Sequence, residues 1–144
     1  VTPFINNQVD YKALEKLIKW WTCSPYFHIE MIIKGKWIST NPTDGAVYIR
    51  ELQDLKTNYD YIDIEVDGKK VRKAMVFLES QVGKKYDYLG LFFSTVIKFN
   101  LDNKQKWFCS ELIAETLKIF DQPLREDSNN YTPGDLARIF RKQI

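Results

Sequence analysis

The strongest constraint on the fold is the run Tyr26 to Ile33, followed at once by Lys34-Gly35 and then by Lys36 to Thr40. The first run is built of aromatic and β-branched side chains, which suit a pleated, half-buried strand. Gly35 supplies the turn, and Lys36 to Thr40 pairs back as the second strand. A chain with a hairpin here is committed to an antiparallel sheet. Alternation puts His28, Glu30 and Ile32 on one face of the first strand and Phe27, Ile29 and Met31 on the other. His28 is the only histidine in the chain. Two polar residues, two apart on an otherwise apolar strand, need partners if they are buried. A functional site explains them, and so does an exposed sheet edge.

Further strands follow. Asn41-Pro42-Thr43-Asp44-Gly45 is a dense turn signal, and Ala46 to Arg50 reads as a third short strand. Tyr61 to Val66 alternates Ile62, Ile64 and Val66 against Asp63 and Glu65, the pattern of a half-exposed strand, with Asp67-Gly68 closing it. Elsewhere the period is helical. Tyr11 to Trp21 places Leu14, Leu17, Ile18 and Trp21 on one face, and Pro25 ends that segment. Lys69 to Val82 carries Val71, Ala74, Met75, Leu78 and Val82 as a buried stripe, with Gly83 at the C-cap place. Tyr86 to Gly90 is a junction into an apolar helix over Leu89 to Phe99, and Asn100 to Lys106 is a polar loop. Trp107 to Leu117 places Cys109 at the start of an amphipathic helix that runs to about Phe120. After a surface loop from Asp121 to Asn130, Thr132 caps a last helix with Pro133 first and Asp135 in its first turn. Residues 1–10 read as an extended lead-in. The expectation is an α+β fold in a single domain over 1–144, strand-rich in its first half and helix-rich in its second.

Composition narrows the function classes. A chain of 144 residues with 44% hydrophobic and 15% aromatic residues builds a real core. Its net charge of +2 gives no electrostatic case for nucleic acid or an anionic membrane. Lys69-Lys70 and Lys84-Lys85 read as solvated faces. No apolar run approaches the ~20 residues that span a bilayer, so no transmembrane segment is expected. No secretory signal is visible, although the chain begins at Val1 rather than Met, and a cytoplasmic or virion-associated location is expected. One histidine and two cysteines without ligand spacing make no metal site, and no phosphate-cradling glycine motif is present. No cofactor is expected, and the oligomeric state is open.

The chemistry centres on Cys109. Taken alone, it reads as a buried core cysteine, since cysteine is among the most buried residue types. Its flanks point elsewhere: Trp107 and Phe108 anchor the approach, Ser110 is small, and a helix start favours the thiolate, the reactive form. A thiol nucleophile also needs a base, and His28 is the one imidazole available. A third polar group normally orients that imidazole. Glu30 shares its face, while Ser39 and Asn41 on the next strand are rivals. Tyr86 is a hydrogen-bond donor for the reacting carbonyl, or simply aromatic core. Cys23 reads as incidental, and both cysteines as free thiols.

The segment Gly83-Lys84-Lys85-Tyr86-Asp87-Tyr88-Leu89-Gly90, followed by Trp107-Phe108-Cys109-Ser110-Glu111-Leu112, resembles the NlpC-type papain-like cysteine peptidases. In ordinary members the histidine strand follows the cysteine; here it precedes it. That order resembles the circularly permuted branch, which includes bacterial YiiX-like proteins and, more distantly, lecithin retinol acyltransferase. Trp20-Trp21-Thr22, Ser24-Pro25-Tyr26, His28 and Glu30, then Asp44-Gly45, look like phage and bacterial permuted members. The resemblance, over roughly residues 11–140, implies a papain-like core in which the Cys109 helix packs on an antiparallel sheet carrying His28. It implies Cys109 as nucleophile, His28 as base and Tyr86 as the tyrosine near the nucleophile. Asn41 or Ser39 would match the third polar position, where some permuted members carry Glu, and the lack of an acid there leaves Glu30 in play. The implied activity is thiol-dependent amide or ester hydrolysis or acyl transfer on a peptide, lipid or protein-amide substrate. The alternatives are a non-catalytic structural or virion component on the same scaffold, and a plain interaction module with Cys109 and His28 far apart.

Overall fold

Both residues of the hairpin turn, Lys34 and Gly35, have positive φ, 50° and 72°. That is the backbone a two-residue connection needs to match the twist of its strands, and glycine adopts it at no steric cost. The computed structural model describes residues 2–6, 24–26, 28–40, 45–55, 57, 59–86, 106–107, 109–124 and 131–141. Its strands are β1 (Thr2–Asn6), β2 (His28–Ile33), β3 (Lys36–Thr40), β4 (Val47–Glu51), β5 (Tyr59–Tyr61), β6 (Lys85–Tyr86) and β7 (Lys106–Trp107). Its helices are α1 (Gly68–Gln81), α2 (Cys109–Ile119) and α3 (Pro133–Arg141). The architecture is mixed α+β. The first five strands form one antiparallel sheet in the order β4-β3-β2-β1-β5.

Register decides which side chains share a face. The hairpin pairs Ile33 with Lys36 and Met31 with Ile38, and the next ladder pairs Ser39 with Tyr48. Carried one step further, the hairpin register sets Glu30 beside Ser39. Glu30, Ser39 and Tyr48 therefore form a row across three strands. The alternate residues Ile29, Met31, Ile33, Ile38 and Val47 face the other way, into the main core with Leu112, Ile113, Leu117 and Leu136. Ile32, Trp37 and Tyr59 make a second, smaller cluster.

Local chemistry ends the helices, at Gly83 and Thr132 as the sequence predicts and at Asp67, which caps a helix rather than closing a strand. The Asp67 carboxylate accepts from the Lys69 N–H at 2.7 Å at the start of α1, and Gly83 takes positive φ, 84°, just past its end. Thr132 and Asp135 close a reciprocal capping box on α3: the Asp135 N–H donates to Thr132 Oγ1 and the Thr132 N–H to the Asp135 carboxylate. Helix α2 contacts β2, α1 and α3.

Four expectations are corrected. Thr2–Asn6 is not a lead-in but a strand lying between β2 and β5. Tyr61 to Val66 is not a strand: its ladder to β1 stops at Phe4–Tyr61, and 62–67 run without regular pairing. Its alternation is nonetheless real, with Ile62 buried, Ile64 and Val66 packed on the core, and Asp63 and Glu65 exposed. Val82 lies outside α1 and is 50% exposed; Gln81 is buried instead. Lys106 does not close a polar loop but pairs, with Trp107, alongside Lys85 and Tyr86. The expected helices over Tyr11 to Trp21 and Leu89 to Phe99, and most of the turn over Asn41 to Gly45, lie outside the described residues.

Candidate active site

Three pieces of chain deliver the site. His28 is the first residue of β2 and Cys109 the first residue of α2. The approach to His28 is pinned: the Tyr26 N–H donates to Ser24 Oγ at 3.1 Å, and the Tyr26 hydroxyl donates to Asp60 on β5. Gly134 in α3 lies so close to Ser24 that a side chain there would collide with its hydroxyl. The approach to Cys109 is pinned by the parallel pairing of Trp107 with Tyr86. The β6 segment is tied in turn to β4, through the Val47 N–H to the Lys84 carbonyl at 2.9 Å and the Gly83 N–H to the Val47 carbonyl at 3.0 Å.

His28 Nε2 stands 3.0 Å from Glu30 Oε1 and 3.3 Å from Ser39 Oγ. Its single proton is shared between a carboxylate and a hydroxyl. The Cys109 thiol lies near enough to His28 to act on its titration. The Tyr48 hydroxyl donates to the same Glu30 oxygen at 3.3 Å. All four central groups are buried: Cys109 is 2% exposed, His28 8%, Glu30 2% and Ser39 1%.

Burial alone disfavours a charged imidazole, but the charges at Cys109 and Glu30 outweigh it. Together with hydrogen bonds to both, they push the His28 pKa from 6.5 up to about 10. Burial would likewise raise Glu30, yet the neighbouring imidazolium wins. With the hydrogen bond from His28 and the neighbouring polar groups of Ser39 and Trp37, it takes the carboxyl from 4.5 down to about 2. At neutral pH a cation is therefore held against the Glu30 carboxylate inside the protein.

Of the residues singled out in the sequence, His28, Glu30, Ser39 and Cys109 come together. The choice between Glu30 and Ser39 dissolves, since both contact the same nitrogen. Tyr86 lies in β6, with its backbone beside Trp107. Asn41 and Cys23 lie outside the described residues. Cys109 is a free thiol. Tyr48 and Trp37 were not singled out; only the strand register reveals that they face Glu30. Among the described residues no group of three or more His, Cys, Asp or Glu is placed to hold a metal ion. None of their helices is long and apolar enough to cross a membrane. No protein-family model matches the chain, and no curated protein matches it.

Proposed function

We propose that this protein is a thiol-dependent hydrolase or acyltransferase of the permuted NlpC-type, papain-like kind, acting on an amide or ester. The observation that carries the reading is the buried hydrogen-bonded pair His28–Glu30, with Ser39 bracing the imidazole and the Cys109 thiol close beside it. A thiol nucleophile needs an adjacent base, and the base needs a third group that fixes its tautomer and direction. The motif resemblance around Tyr86 and Cys109 supports the same assignment.

In the reaction so assigned, Cys109 Sγ attacks the substrate carbonyl carbon and the carbonyl π electrons move onto oxygen. That oxygen faces the first-turn N–H groups of α2, which have no carbonyl partner within the helix. Ser110 Oγ, fully buried and without a hydrogen-bond partner among the described residues, is a further unused donor at this helix end. As the carbonyl reforms, the C–N or C–O bond breaks and His28 gives its proton to the leaving amine or alcohol. A thioester to Cys109 remains. His28 then takes a proton from water, the hydroxide adds to the thioester, and the acid and the thiolate are released. An amine or alcohol in place of that water completes acyl transfer instead. The substrate classes are a cell-wall or other peptide, a lipid acyl ester, or a protein amide.

The test is to treat the folded protein with iodoacetamide at neutral pH and map the adduct, then to assay a panel of acyl p-nitrophenyl esters and peptide amides. Because Cys109 is 2% exposed, labelling reads access as well as activation. The reading predicts modification of Cys109 in the native state and a loss of turnover of roughly three orders of magnitude or more in Cys109→Ala. A thiol that reacts only after unfolding in urea, with no turnover on any substrate, means that the scaffold is not catalytic.

A further inference from the structure

We infer that Tyr48 is a positioning residue for the imidazole, acting through Glu30; the inference rests on reading Cys109, His28 and Glu30 as the reacting group. Glu30 Oε1 receives two donors from two different strands, His28 Nε2 at 3.0 Å and the Tyr48 hydroxyl at 3.3 Å. A carboxylate oxygen has lone pairs for both. Without the phenol, Oε1 keeps the histidine alone, and the carboxylate gains freedom to turn about its last side-chain bond. The phenol on the same oxygen restrains that rotation.

The phenol is itself held. Tyr48 is paired with Ser39 in the β3–β4 ladder, so both hydroxyls approach Glu30 from the same side of its strand, along one row. The Arg50 guanidinium lies 4.0 Å from the centre of the Tyr48 ring and keeps it in place by a cation–π contact. Tyr48 is half-buried and lines an open depression of about 580 Å³ with Trp37, Arg50, Glu51, Gln53 and Asp54. It is thus the point at which the buried pair reaches the outer surface of the sheet. Among the described residues, the titratable and charged groups gathered around His28 and Glu30 are Cys109 from α2, with Tyr48 and behind it Arg50 from β4.

The single histidine makes a clean experiment possible. Protein labelled with 13C-histidine gives one imidazole Cε1–H resonance, which is followed against pH in wild type, Tyr48→Phe and Glu30→Gln. Phenylalanine keeps the ring and its Arg50 contact and deletes only the hydroxyl. Tyr48→Phe is expected to lower the titration midpoint of His28 by roughly half a pH unit, and Glu30→Gln by roughly two, with Tyr48→Phe still folded by circular dichroism. A Tyr48→Phe titration superimposable on wild type overturns the inference, even if its thermal midpoint falls, because a merely structural tyrosine would do that. The iodoacetamide experiment separates the two ideas. If wild-type Cys109 proves inert while Tyr48→Phe still moves the histidine titration, the acyl-transfer reading falls and the positioning contact stands.

Discussion

Alternate residues of the same three strands build the two faces of the sheet, and the faces are made differently. Toward the helices, Ile29, Met31, Ile33, Ile38 and Val47 meet Leu112, Ile113, Leu117 and Leu136, all at most 2% exposed. On the other face Glu30 and Ser39 are buried as deeply, but hydrogen bonds rather than apolar packing join them to His28 and Tyr48. The apolar face supplies the stability: burying large aliphatic side chains contributes about 1.5–3 kcal/mol each, and many apolar combinations of the right volume would do. The polar face supplies little net stability, because removing charges from water offsets most of their attraction. What it supplies is one arrangement of atoms, set by the two donors on Glu30 Oε1, while Oε2 has no hydrogen-bond partner among the described residues. The apolar face carries α2 to the place where the thiol meets the imidazole; the polar face decides how the imidazole points when it gets there.

The contrast is open to test by pH. The largest effect is expected for Glu30→Ala, which strands a buried imidazolium. Urea unfolding near pH 6 should show a loss of about 3–5 kcal/mol, shrinking near pH 9, where His28 without its carboxylate simply gives up its proton. Leu112→Ala on the apolar face should cost about 2–5 kcal/mol, equally at both pH values. If the two variants show the same pH dependence, the faces do not differ in the way described. The wild-type protein should carry the same signature. Glu30 is held at about 2 against 4.5, so its contribution is present above 4.5 and is lost as pH falls toward 2. His28 is raised from 6.5 to about 10, so its contribution is full below 6.5 and is lost as pH rises toward 10. Thermal midpoints should therefore peak between 4.5 and 6.5 and decline on both sides. The smallest effect is expected for Gly134→Ala. Its new methyl would collide with Ser24 Oγ, pushing on the segment that leads into β2, at about 1–3 kcal/mol and with no dependence on pH.

What could be read from the residues alone was local. The Lys34-Gly35 turn and the alternation around it gave the hairpin and the shared face of His28 and Glu30. Periodicity with a helix-start signature placed Cys109 at the first position of α2. Long-range pairing was not legible. Thr2–Asn6 contains Pro3, which lacks a backbone donor and argues against a strand with neighbours on both sides, yet it lies between β2 and β5. The strands β6 and β7 are two residues each, too short to show a period. Alternation over Ile62 to Val66 reported burial correctly but not pairing, because a chain lying on a core alternates whether or not a neighbour offers a ladder. Tyr48 carries no local mark at all. It belongs to the site only because the β3–β4 ladder sets it across from Ser39.

The tight turn at Lys34-Gly35 bears on the order in which the molecule is assembled. Hairpins with short connections close within about 1–10 μs, long before contacts between distant parts of a chain are made. Folding by that route would bring His28, Glu30 and Ser39 into neighbourhood early, on one small and local piece of structure. Cys109 arrives from far down the chain, through one of the longest loop closures in the fold, and slow steps of that kind set folding rates. On this timetable the imidazole and its carboxylate wait for the thiol, and the arrangement proposed to be reactive is complete only once the chain has finished folding.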